Sequence, residues 1–193
     1  MSNDYYDRHA QEFFDSTIAI DMEGLHQPFL ELLPIKGYIL DAGCGSGRDA
    51  RRFLDLGYRV EAFDASAELV SLATKLLRQT VRQALFSELR ETEIYDGVWA
   101  CASLLHLEGN ELDVALTRLR IALKPGGILF ASFKEGVGTI EKDDREFYLQ
   151  TNDSLRATLA RVNGFMVIQS WQTKDLRPGR SECWINVLAK RVD

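Results

Sequence analysis

Seven residues, Asp41-Ala-Gly43-Cys44-Gly45-Ser-Gly47, carry the strongest chemical signal in this 193-residue chain. Three glycines at alternate positions make a turn without Cβ atoms. The apolar Ile39 and Leu40 precede it, and a helical pattern beginning at Arg48 follows. Strand, glycine turn and helix start together form a nucleotide-type site, in which a ligand can lie directly on backbone. A dinucleotide fingerprint, Gly-x-Gly-x-x-Gly, would place its third glycine where Arg48 stands, so the spacing counts against a nicotinamide cofactor. A second acidic residue, Asp64, ends the strand-like run Arg59-Val-Glu-Ala-Phe-Asp64, 19 residues after Gly45. Taken singly, a glycine turn is often mere loop punctuation, and an Asp before Ala65-Ser66 is often only the cap of the next helix.

The turn and its leading Asp41 resemble motif I of the class I S-adenosylmethionine-dependent methyltransferases, in particular the small bacterial type. In that family the turn holds the methionine half of S-adenosyl-L-methionine, and an acidic residue closing the next strand takes the ribose hydroxyls. Asp64 stands at that place, and a carboxylate can accept from two neighbouring hydroxyls at once. The resemblance implies a cofactor site of Tyr6, Asp41, Gly43, Cys44, Gly45, Gly47, Asp64 and Ala65. It adds Leu85 and Phe86 flanking the adenine, and Ala100 and Ser103 lining the cofactor from the fourth strand. Phe86 is equally readable as a core aromatic.

The run from Tyr95 to His106 resembles the family's fourth-strand motif. His106 has the one side chain that titrates near neutrality, so it could serve as a base or a substrate ligand; the simpler reading is a hydrogen-bonded histidine at a helix start. Methyl transfer from a sulfonium requires mainly alignment and a dry site, and the family often uses no general base. The catalytic residue therefore stays unassigned, with His106, Lys134 and Tyr6 as candidates. Lys134 opens a polar segment, 134–150, containing Lys142 and Arg145; with little periodicity it reads as a lid or as a plain solvated loop. The leader Asp4-Tyr5-Tyr6 to Phe13-Phe14 resembles one that small bacterial methyltransferases fold over their cofactor, or it is an amphipathic helix packed on the sheet. Arg177 and Arg180, framing Pro178-Gly179, could clamp a carboxylate or phosphate or belong to a solvated turn.

Strand-like and helix-like patterns alternate from Tyr38 onward, the mark of a parallel sheet covered by helices. Strands are expected at 37–42, 58–63, 80–86, 95–101, 127–133, 165–173 and 183–191. Helices are expected at 48–56, 66–78 with Ser66 as cap, 111–123 with Asn110 as cap, and 153–163 ending at Gly164. The last two strands have no room for a crossover helix and should pair antiparallel. The expected fold is α/β: a Rossmann-like, seven-stranded, mostly parallel sheet with an antiparallel C-terminal hairpin strand and helices on both faces. A single domain is expected over 1–193, with 1–36 a helical leader capping the cofactor site and 37–193 the core.

Composition is that of an ordinary globular protein, with 46% hydrophobic and 27% charged residues. Of the net charge of −6, nearly all lies before Ile39, and no basic stripe offers itself to nucleic acid. A small-molecule substrate is favoured. Cys44, Cys101 and Cys183 stand far apart without metal-ligand spacing, so no metal is expected and the thiols read as reduced in a cytoplasmic protein. The first residues are polar and acidic and no apolar run reaches 18 residues, so neither export nor membrane insertion is expected. The protein should be a monomer or homodimer. Alternatives of other classes are a cofactor-binding regulatory protein of the same fold without turnover and a nicotinamide-dependent oxidoreductase.

Overall fold

The computed structural model describes residues 2–177 and 179–192, so Pro178, between the two hairpin arginines, lies outside the described residues. The leader forms three short helices, α1 (Ser2–Arg8), α2 (Ala10–Thr17) and α3 (Glu23–Leu30). The core follows as β1 (Tyr38–Ala42), α4 (Arg48–Asp55), β2 (Arg59–Asp64), α5 (Ala67–Leu77), β3 (Arg82–Gln83), β4 (Tyr95–Ala100), α6 (Gly109–Ala122) and β5 (Leu123–Lys134). A small hairpin, β6 (Thr139–Lys142) and β7 (Arg145–Tyr148), precedes α7 (Asn152–Val162), β8 (Phe165–Lys174) and β9 (Cys183–Arg191).

The main sheet runs β3-β2-β1-β4-β5-β9-β8; β9 alone is antiparallel to its neighbours, as expected. Side chains alternate between its faces. Ile39, Trp99 and Phe130 join the apolar face covered by α3, α4 and α5, whereas Leu40, Val98 and Leu129 join the face under α6 and α7. Trp99 stacks on Phe130 with centroids 3.9 Å apart, and Phe29 and Phe53 close on the same indole. Burying each such ring contributes ~1.5–3 kcal/mol, enough to hold the leader helix that supplies Phe29 against the core. Among the described residues no helix is long and apolar enough to cross a membrane.

Four boundaries differ from the sequence expectation. The third strand pairs only at Arg82–Gln83, and Phe86–Glu88 turns into a 3₁₀ helix held by Glu88 Oε2 accepting from the Leu85 amide at 2.8 Å. The fifth strand begins at Leu123, because Lys124-Pro-Gly-Gly127 forms a bulge inside it, pairing shifting from Tyr95↔Leu123 to Gly97↔Ile128. Helix α6 starts at Gly109 after Glu108, with no side-chain cap from Asn110. The 134–150 segment is not an irregular loop; it holds the β6–β7 hairpin, turned by Asp143 and Asp144 at φ 53° and 57°. Asp tolerates the left-handed region, so this two-residue turn needs no glycine.

Candidate active site

The turn after β1 is built from inside. Gly43, Gly45 and Gly47 all have φ between 54° and 77°. A Cβ on Gly43 would come within 2.5 Å of the Ser103 Cβ, and one on Gly47 within 3.1 Å of Ala73. The amides of Gly43 and Cys44 both donate to the Phe63 carbonyl, and the Gly45 amide donates to Asp64 Oδ2 at 2.8 Å. Asp64 Oδ1 accepts from the Ser66 amide at 3.0 Å, so both oxygens are fixed while each keeps a further lone pair. These amides are spent on the protein; what the turn offers a ligand is close approach and an aimed carboxylate. Ser66 caps α5 as expected, taking the Leu69 amide at 3.2 Å.

Asp41 lies buried behind the turn and accepts from the Ala50 amide at 3.1 Å, tying β1 to α4. Burial, reinforced by the neighbouring Asp49, pushes its carboxyl well above the ordinary value. Burial acts on Asp49 in the same sense. Its partners outweigh it: two bonds of 2.8 Å from Arg48, one of 2.9 Å with His26 Nε2 and one of 2.9 Å from the Trp99 indole hold that carboxyl well below the usual range. Arg48, at the place of a dinucleotide site's third glycine, is thereby committed to fastening the leader's His26 to the core.

A cavity of about 780 Å³ opens over the carboxyl ends of the strands, within the ~300–1,000 Å³ usual for small-ligand sites. Tyr6, Asp41, Gly43, Cys44, Gly45, Asp64, Ala65, Leu85, Phe86, Ser103, His106 and Lys134 all line it. Two further positions lie elsewhere: Gly47 packs on Ala73 and Ala100 is fully buried in β4. Ser103 Oγ donates to the Ala42 carbonyl at 2.7 Å, joining the ends of β1 and β4. Phe86 meets Phe63 edge-on at 5.2 Å and also borders the cavity, so its core and lining roles coexist. Burial pushes the Cys44 thiol well up and Cys101 to about 12, which leaves neither sulfur nucleophilic.

The leader closes one side. Asp7 accepts from Ser66 Oγ at 2.6 Å, Thr17 donates to Ser46 at 3.1 Å, and Phe13 lies against Gly45. Tyr6 reaches His106, with 3.0 Å between the phenol oxygen and Nε2, while His106 Nδ1 lies 2.8 Å from the Glu146 carbonyl. A carbonyl only accepts, so Nδ1 carries the proton and Nε2 receives the Tyr6 hydroxyl. Burial drives the imidazole down to about 4 and the Tyr6 phenol up, the latter against the pull of Arg145. His106 is a neutral hydrogen-bonding bridge between leader and β7.

Beyond His106 the lining turns basic: Lys134, Lys142, Arg145, Arg177 and Arg180. Of the two hairpin arginines, Arg177 is spent on a two-pronged pair with the buried Asp175, which also accepts from the Trp184 indole at 3.2 Å. Arg145 lies over the Tyr5 ring at 3.9 Å. Tyr5 and Phe14 are not among the cavity-lining residues. Nothing local in the sequence marks Glu146, Glu182 or Asp49 as parts of the site, for a charged residue beside a strand or in a first helical turn carries no sign of burial.

The model of a methyltransferase domain matches residues 39–127. The malonyl-[acyl-carrier protein] O-methyltransferase of Yersinia pestis is 30% identical over 85% of this chain and 59% of that one. The chain spans about half the length of the curated relatives it matches. Among solved structures, 1,6-didemethyltoxoflavin-N1-methyltransferase of Burkholderia thailandensis, solved with that substrate and S-adenosylhomocysteine, superposes with a TM-score of 0.79. It is 24% identical, over 98% of this chain and 85% of that one. The cyclase SpnF superposes at 0.78 with 18% identity, over 99% and 96% of the two chains, so the fold alone does not select a reaction. The domain match, the curated relative and the superposition agree: residues 39–127 match a methyltransferase domain, and the chain has the fold of solved methyltransferases.

Proposed function

We propose that the protein is a single-domain enzyme transferring a methyl group from S-adenosylmethionine to a small-molecule acceptor. The observation that carries this reading is Asp64, whose oxygens are each pinned by one backbone amide and each left with capacity for one hydroxyl of a ribose diol. The cradle fits the cofactor: Gly43, Cys44 and Gly45 give room along the backbone, Ala65, Leu85 and Phe86 border the base, and Tyr6 and Ser103 close the far side. Gly47 and Ala100 support this shell from behind. When bound, the cofactor supplies an electrophilic methyl group on sulfur; the chain's part is to hold acceptor and donor in line and to exclude water. The leader performs the exclusion, for Tyr6, Phe13 and Thr17 join it to the turn and to His106. His106 is a positioning residue in this scheme, since a neutral imidazole already engaged by Tyr6 is a weak proton acceptor.

Calorimetry with S-adenosylhomocysteine and with NADH tests the reading. Binding of the former and none of the latter is expected, followed by methyl transfer from labelled cofactor to members of a metabolite panel. NADH binding without S-adenosylhomocysteine binding would overturn it. Cofactor binding with no transfer across the panel and a stable protein partner would favour a regulatory role.

A further inference from the structure

On that reading the cofactor's share of the cavity is set by β1, β2, the turn after β3 and the Ser103 side of β4, which leaves the acceptor the end of β5, the β6–β7 hairpin and the start of β9. Lys134 ends β5, two strands from β1 and so roughly 10 Å across the sheet from the glycine turn. Its residue is 8% exposed, yet its ammonium makes no hydrogen bond: its neighbours are the Phe147 ring at 4.1 Å and Glu182 Oε1 at 3.9 Å. The same Glu182 oxygen lies 3.9 Å from Lys142 Nζ and 3.9 Å from Arg180 Nη1. Three cations thus surround one carboxylate oxygen, and none closes to the ~2.7–2.9 Å of a charge-assisted hydrogen bond. The neighbouring Arg177–Asp175 pair shows what a completed structural ion pair looks like in this hairpin, with Arg177 Nε at 2.9 Å from its carboxylate. A fourth cation, Arg145, keeps a buried Nε with no acceptor.

The Lys134 side chain is largely covered and its ammonium faces the cavity without a close acceptor, so a ligand there can supply one. We infer that Lys134, Lys142, Arg180 and Arg145 form an oxyanion subsite for the methyl acceptor, which therefore carries a carboxylate or phosphate group, and that Glu182 is the placeholder the anion displaces. This inference rests on the methyltransferase reading for its location and on the cation geometry for its chemistry. A purely structural role for Glu182 would require at least one close pair, and its three cation neighbours all stand at 3.9 Å, whereas Arg145 is held on one side by Asp143 at 3.1 Å.

The test is titration of the S-adenosylhomocysteine-saturated protein at constant ionic strength with succinate, with inorganic phosphate and with succinamide as the uncharged control. At least one anion should bind and succinamide should not; succinate alone assigns a carboxylate acceptor, and phosphate alone a phosphorylated one. Lys134→Met should weaken the anion by about ten-fold or more, the loss of one charged partner, while leaving S-adenosylhomocysteine affinity within about two-fold. Arg180→Gln, on the exposed turn, should weaken it by a smaller factor without endangering the fold. Glu182→Gln should tighten the anion, because it removes the competing charge. Failure of both anions to bind, unchanged binding in Lys134→Met, or weaker binding in Glu182→Gln would overturn the subsite. Should S-adenosylhomocysteine itself fail to bind, the methyltransferase reading falls, and the same titrations on the cofactor-free protein still decide the subsite.

Discussion

The two ends of the cavity are built on opposite plans. At the glycine-turn end, backbone amides are satisfied within the protein, Asp64 is held from two sides, and the buried Asp49 collects four hydrogen bonds from three side chains. At the Lys134 end, charged side chains from β5, the β6–β7 hairpin and the loop before β9 meet around Glu182 at 3.9 Å and stop short of hydrogen bonding. A site completed before its ligand arrives needs little further ordering on binding. A site left with unspent donors awaits a ligand that supplies acceptors. The difference is the one the proposed division into a donor end and an acceptor end requires.

The sharpest way to break the contrast is Asp64→Ala. Losing two hydrogen bonds to a charged group, at ~1.5–3 kcal/mol each, should cost S-adenosylhomocysteine at least about 100-fold in affinity by calorimetry. An unchanged affinity would remove Asp64 from the site. Gly43→Ala should act through the fold instead. A left-handed backbone costs ~1–2 kcal/mol for a residue with a Cβ, and the 2.5 Å approach to Ser103 adds ~1–3 kcal/mol of overpacking, giving ~2–5 kcal/mol by denaturant unfolding.

Tyr6→Phe probes the seam between the two ends. It removes one largely neutral hydrogen bond within the protein, so stability should fall by ~0.5–1.5 kcal/mol by denaturant unfolding, with a smaller loss of cofactor affinity by calorimetry. A further test concerns pH. His106 has its value lowered from an ordinary 6.5 to about 4 by burial. The unfolded chain therefore takes up the proton first as pH falls, and the stability gained from neutral His106 is present above about 6.5 and lost progressively towards about 4. Denaturant unfolding of wild type and His106→Gln at pH 7 and pH 4.5 should show a smaller pH dependence in the variant. An acid limb of activity near 6.5 that disappears in His106→Gln would instead make the imidazole a titrating participant.

Much of the glycine-turn end was legible because its information is local. Asp41 to Gly47, Ser66 as a helix cap and the antiparallel end of the sheet follow from residue types at fixed spacing. The exceptions are instructive: β3 shortened because Glu88 folds back on the Leu85 amide, and the 134–150 segment became a hairpin through the left-handed Asp143 and Asp144. Neither two-residue pairing nor a glycine-free turn leaves a periodic trace. Arg177 is no free clamp, because Asp175, two residues away, occupies it.

By itself the sequence determined the sheet and its likeness to a methyltransferase, since hydrophobic period, glycines that must take positive φ and a carboxylate closing a strand are properties of short segments. Only the tertiary structure decided that the leader's Tyr6 closes on His106, that Arg48 ties Asp49 and His26 into the core, and that Lys134, Lys142 and Arg180 share one carboxylate. Those partners lie up to 100 positions apart, and a charge's role depends on which unlike charges the fold brings within a few ångströms, a quantity that no local spacing encodes.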